Sequence, residues 1–147
     1  MQKIFDASER LFFNILIICL ISCIYFNIFP KNTITITIGL IFCIFYFGIN
    51  FYTGYFNNLS IREAIVVGSI GCSIGLFLGF FAIYTKFVLD SPNIAIWMIM
   101  PYFSPTISLL NVSATKITFA YPFIIMILNI FLVIMGSISK KIMNKLS

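Results

Sequence analysis

Four stretches of this chain, 11–29, 34–56, 64–84 and 117–138, are long, apolar and free of Asp, Glu, Lys, Arg and His. A bilayer crossing takes roughly 20 predominantly apolar residues, and each stretch is about that long. Charges stand at their ends: Arg10 and Lys31, then Arg62 and Glu63, then Lys86, then Lys116 and Lys140. With 9% of residues charged and 61% hydrophobic, the chain lacks the polar surface of a soluble domain, where about 25% are charged. The fold class that follows is an all-α integral membrane protein, a bundle of four transmembrane helices forming one domain over 1–147. The first stretch has a longer apolar core than a cleaved signal peptide, and no Ala-x-Ala site follows it. It is read as a retained helix.

Lys and Arg accumulate on the cytoplasmic side of membrane proteins. Placing both termini there puts Lys3, Arg10, Arg62, Lys140, Lys141 and Lys145 inside and Lys31, Lys86 and Lys116 outside. The expected location is therefore a bacterial cytoplasmic membrane with both termini cytoplasmic. Lys140, Lys141 and Lys145 would meet anionic lipid, each attraction being about 1 kcal/mol. The scattered basic residues make no nucleic-acid footprint.

The third connection, 85–116, lies outside and contains "NIAIWMIMPYFSP", whose apolar part is too short to cross at about 1.5 Å per residue. Pro92, Pro101 and Pro105 interrupt it, and Trp97, Tyr102 and Phe103 suit a membrane–water boundary. Residues 93–103 are read as a short interfacial or re-entrant helix in that loop, which would lid the bundle, dock a partner or guard a lateral opening.

The third stretch holds "GSIGCSIGLFLGF", with four glycines in a helical run. At about 100° per residue, Gly68, Gly71, Cys72, Gly75 and Gly79 share one arc, and Ile70, Ile74, Phe77 and Phe81 lie opposite. In lipid, helices associate through close backbone approach, which small residues permit. A flat contact face on one continuous helix is the expectation. Cys19, Ser22 and Cys23 offer a matching small face, so the first helix is expected to pack on the third. Ser60 and Glu63 have the spacing of a capping box at the start of that third helix.

Little in the chain points to chemistry. The four cysteines, Cys19, Cys23, Cys43 and Cys72, fall inside the apolar stretches, form no CxxC pair, and read as small buried side chains. No metal site, cofactor or catalytic group is expected. Asn129 is the costliest polar group at depth and should bond to Asn50, Ser69 or Ser73; Pro122 should kink the same helix or free a carbonyl. The functional expectation is a non-enzymatic subunit or accessory factor of a larger membrane complex (transport, envelope biosynthesis or respiratory). Its partners would be membrane lipids and another membrane subunit or a second copy. A self-associating pore and a lipid-linked carrier or immunity protein are the alternatives.

Overall fold

A computed structural model describes residues 2–30, 32–112 and 120–146. The molecule is 90% helical, with no strand among the described residues, which satisfies peptide groups internally where lipid offers them no partner. The helices are α1 (Gln2–Ile28), α2 (Thr33–Phe56), α3 (Ile61–Gly71), α4 (Ser73–Phe87), α5 (Pro92–Phe103), a 3₁₀ turn (Ser104–Thr106), α6 (Ile107–Val112) and α7 (Tyr121–Leu146). Lys31, Lys116 and the first residues of the fourth apolar stretch, 117–119, lie outside the described residues. The chain is an integral membrane protein with four helical segments long and apolar enough to cross: α1, α2, Pro92–Leu110 and α7.

Local chemistry sets the helix ends. Asn32 caps α2 by accepting the Thr35 amide. Ser60 and Glu63 make both bonds of the capping box on α3, the Ser60 amide donating to Glu63 and the Glu63 amide to Ser60. Asn58 takes φ +52° just past α2, a left-handed position that Asn tolerates. Pro122 stands second in α7, where its missing N–H removes no helix bond. The expected kink in that helix is therefore corrected: a proline in the first turn starts a helix without bending it.

The glycine-bearing helix is not continuous. α3 and α4 meet at Cys72 with a bend of 54°. The break falls in Gly71-Cys72-Ser73, and sharp kinks gather at Gly/Ser positions. The pair still traverses the bundle. Ser137 bonds to the Leu59 carbonyl at its start, Gly68 rests on Ile130, Gly75 on Met126, and Gly79 on Pro122. Those partners run steadily up α7, so α3 and α4 form one broken crossing.

Length and composition also qualify Pro92–Leu110 as a crossing, but its contacts turn back. Met98 lies beside Thr85 at the end of α4, and Tyr102 reaches Gly75 and Met126 deep in the bundle. Ser104 then meets Ser22, and Ser108 meets Gly39 and Phe26 near the turn from α1 to α2. Between Cys19 and Phe26, α1 rises about 10 Å, so α5 descends and α6 climbs back. Residues 93–103 are thus the descending arm of a re-entrant hairpin, the second of the two expected forms, and the interfacial form with its surface lid is corrected. Tyr102 and Phe103, expected at the interface, are only 4% and 3% exposed. Trp97 is 71% exposed.

The closest helix contact was absent from the sequence reading. A Cβ on Gly54 would collide with the Val133 carbonyl, and one on Gly136 with the Phe51 carbonyl. The α2 and α7 backbones touch there. Overpacking a close contact costs typically 1–3 kcal/mol. Gly54→Ala and Gly136→Ala are each expected to lower unfolding free energy by about 2 kcal/mol in denaturant-titrated bilayers, whereas Gly48→Ala, with open space at its Cβ, leaves it unchanged.

Candidate functional site

The deepest polar group of the bundle joins α2, α3 and α7. Asn129 donates from Nδ2 to the Tyr46 hydroxyl at 2.8 Å. Asn50 donates to the Tyr46 carbonyl at 2.8 Å and to Asn129 Oδ1 at 3.3 Å. The Cys72 thiol, at the helix break, points to Asn50 Oδ1 at 3.8 Å. All four residues are buried. Asn129 thus finds Asn50, as one of its three expected partners, together with the unforeseen Tyr46 hydroxyl; Ser69 and Ser73 take no part. Tyr102 closes the cluster from the hairpin, with the Tyr46 side chain and Gly75 backbone beside its hydroxyl. Its Oη meets no partner at hydrogen-bond geometry.

A second polar group anchors the hairpin tip. Pro105 has no N–H to return to the Pro101 carbonyl, and the Ser104 hydroxyl approaches that carbonyl at 2.9 Å. The Cys19 thiol donates to the Tyr102 carbonyl at 2.9 Å, and the Thr106 hydroxyl to the Phe103 carbonyl at 2.8 Å. Ser22 and Ser104 sit 2.6 Å apart, and the Cys19 carbonyl accepts within reach of both. Two hydroxyl protons are shared among these oxygens. Three successive carbonyls at the tip therefore each gain a side-chain donor.

The small face of α1 serves this tip. Cys19 and Ser22 receive the hairpin, and Cys23 borders a cleft beside it. The expectation that these residues pack on the glycine face is corrected. α1 does pack on α3, through Leu11 against Gly71, where an added Cβ would lie 2.5 Å from Leu11 Cδ2. The four glycines are filled from within the chain. Gly68 and Gly79 take α7, Gly71 takes α1, and Gly75 takes Tyr102 and Met126, whose atoms an added Cβ would meet at 2.6 and 2.9 Å. Gly39 and Gly54 on α2 and Gly136 on α7 act likewise. Their signal was legible as isolated helical glycines, outweighed by the denser cluster.

Two of the hollows along α1 lie beside the hairpin. One, of about 120 Å³, has Phe26, Trp97, Met100 and Ile107 as apolar walls. Cys23, Asn27 and Ser104 give it polar atoms and no charge. The other, of about 150 Å³, lies between Leu16, Leu20, Ile74 and Leu78 and adjoins the first at Pro101. Among the described residues no group of three His, Cys, Asp or Glu is placed to hold a metal ion.

At the opposite end, Lys3 donates to the Asn58 carbonyl at 2.9 Å, and Lys140 stands over the Tyr55 ring. The start of α1, the α2–α3 turn and the end of α7 therefore share one end of the bundle. Lys141 and Lys145 are exposed there. Comparison with family models, with curated proteins and with solved structures found no match for this chain.

Replacing Asn129 by Leu removes one acceptor of the Asn50 amide and the donor to the Tyr46 hydroxyl in a buried site. Interhelical side-chain bonds in membranes average about 0.6 kcal/mol and reach about 2. Asn129→Leu is expected to cost about 2 kcal/mol, and the Asn50→Leu/Asn129→Leu pair less than the sum of its parts, in a double-mutant cycle read by thermal unfolding.

Proposed function

We propose that this chain is a non-enzymatic component of a membrane assembly, and that a helix of another subunit packs on the Gly48 face of α2. The supporting observation is a count. Seven of the eight glycines have a packed neighbour where a Cβ would stand, and Gly48 alone has none within 4 Å. Gly48 is exposed, and so are Ile44, Phe45, Phe51 and Tyr52 one turn away on either side. This makes a notch between bulky rows, the shape that lets a second helix backbone approach.

The interior favours a non-enzymatic role. Its amides and hydroxyls are bonded chiefly to backbone carbonyls, with a few bonds among themselves, and the apolar stretches carry no ionisable side chain other than Cys and Tyr. The setting we propose is a bacterial cytoplasmic membrane. Lys3, Arg10, Arg62, Lys140, Lys141 and Lys145 then face the cytoplasm with both termini.

Gly48→Leu separates docking from folding. The purified variant should unfold at the wild-type temperature, because a Cβ at this exposed position meets no atom of its own chain within 4 Å. A photoreactive residue at Tyr52 should crosslink a different chain in native membranes, and Gly48→Leu should reduce that adduct at least fivefold. An adduct of twice the chain mass would mean a second copy and overturn the heteromeric reading. Absence of any adduct would overturn docking altogether.

A further inference from the structure

The furrow along α1 has the dimensions of one lipid chain. The two hollows adjoin at Pro101 and border α1 from Leu16 to Asn27, a rise of about 16 Å. Half of a 30 Å hydrocarbon core is about 15 Å, so the furrow matches the depth of a single leaflet. It runs alongside a membrane-crossing helix, and Ile24, Ile28 and Ile94 nearby are exposed apolar side chains. The surroundings of its mouth are therefore hydrocarbon.

Its chemistry is graded in the same direction. The deep hollow is walled by Leu16, Leu20, Ile74 and Leu78. The hollow near the end of α1 adds polar atoms. Asn27 commits its amide nitrogen to the Cys23 carbonyl and sulfur, at 2.7 and 3.5 Å. Its amide oxygen is left as an acceptor beside the Cys23 thiol. Trp97 stands at the same level, and indole rings favour the headgroup boundary. No charge lines either hollow.

We propose that this furrow is a lipid-binding site. It takes one acyl chain of a phospholipid from the leaflet at the hairpin end, the methyl end toward Leu16 and the glycerol region at Asn27 and Trp97. The hairpin, held to α1 through Cys19, Ser22 and Ser104, forms its second wall. The site lies on α1, α4 and the hairpin, and stands or falls separately from docking at Gly48.

Trp97 is the single tryptophan, so its fluorescence reports the furrow without interference. The probe is phosphatidylglycerol with dibrominated acyl chains, titrated into delipidated, detergent-solubilised full-length protein. Trp97 emission should fall by at least half and saturate at one lipid per chain. Cys23→Phe, which fills the hollow, should abolish the saturable phase; Ile24→Phe, on the exposed neighbour, should keep it. Native mass spectrometry should likewise show one retained phospholipid in wild type and none in Cys23→Phe. Quenching that rises linearly with lipid would overturn the proposal, and wild type alone decides this if Cys23→Phe does not fold. Equal lipid retention in both proteins would also overturn it. Gly48→Leu should bind the lipid as wild type does, so a failure here is distinguishable from a failure of partner docking.

Discussion

Inside a bilayer a peptide carbonyl without a donor costs several kcal/mol, and this chain interrupts two helices at that depth. Each interruption is matched by donors, most of them local. At Cys72 the Gly75 amide returns to the Cys72 carbonyl at 3.0 Å. At the hairpin tip, Ser104, Cys19 and Thr106 serve three successive carbonyls. The Ser104, Cys19 and Thr106 side chains are thus consumed in holding irregular backbone.

Close approach of backbones is the second organising demand. α2 and α7 touch through Gly54 and Gly136, and the broken α3–α4 crossing lies on α7 through Gly68, Gly75 and Gly79. α7 is therefore the shared post of the bundle. Bulky residues such as Phe77, Ile44 and Ile127 point outward and are exposed, as the lipid-facing side of a bundle requires. Burial here separates small from large residues more than polar from apolar ones.

The helical membrane class was legible because charge-free runs of that length have no other stable state. So was the capping box, since Ser60 and Glu63 carry their own short-range geometry. The break at Cys72 had a signal in Gly71-Cys72-Ser73, but an i+4 glycine register also reads as one straight face, and periodicity cannot report a bend. Tyr102 was misplaced because residue type favours the interface, whereas the fold of the hairpin decides depth. Pro122 was misread through an uncertain helix start. The furrow was not legible at all, since it joins α1 to residues more than fifty positions away. Gly48 was visible only as a glycine; what distinguishes it is the emptiness around it.

The neutrality of the central cluster has an electrical consequence. A unit charge moved across a membrane potential gains or loses about 2.3 kcal/mol per 100 mV. Asn50, Asn129, Tyr46 and Cys72 carry none, so shifting them through the field does almost no work. A rearrangement at the Cys72 bend that moved only these side chains would therefore be insensitive to the membrane potential.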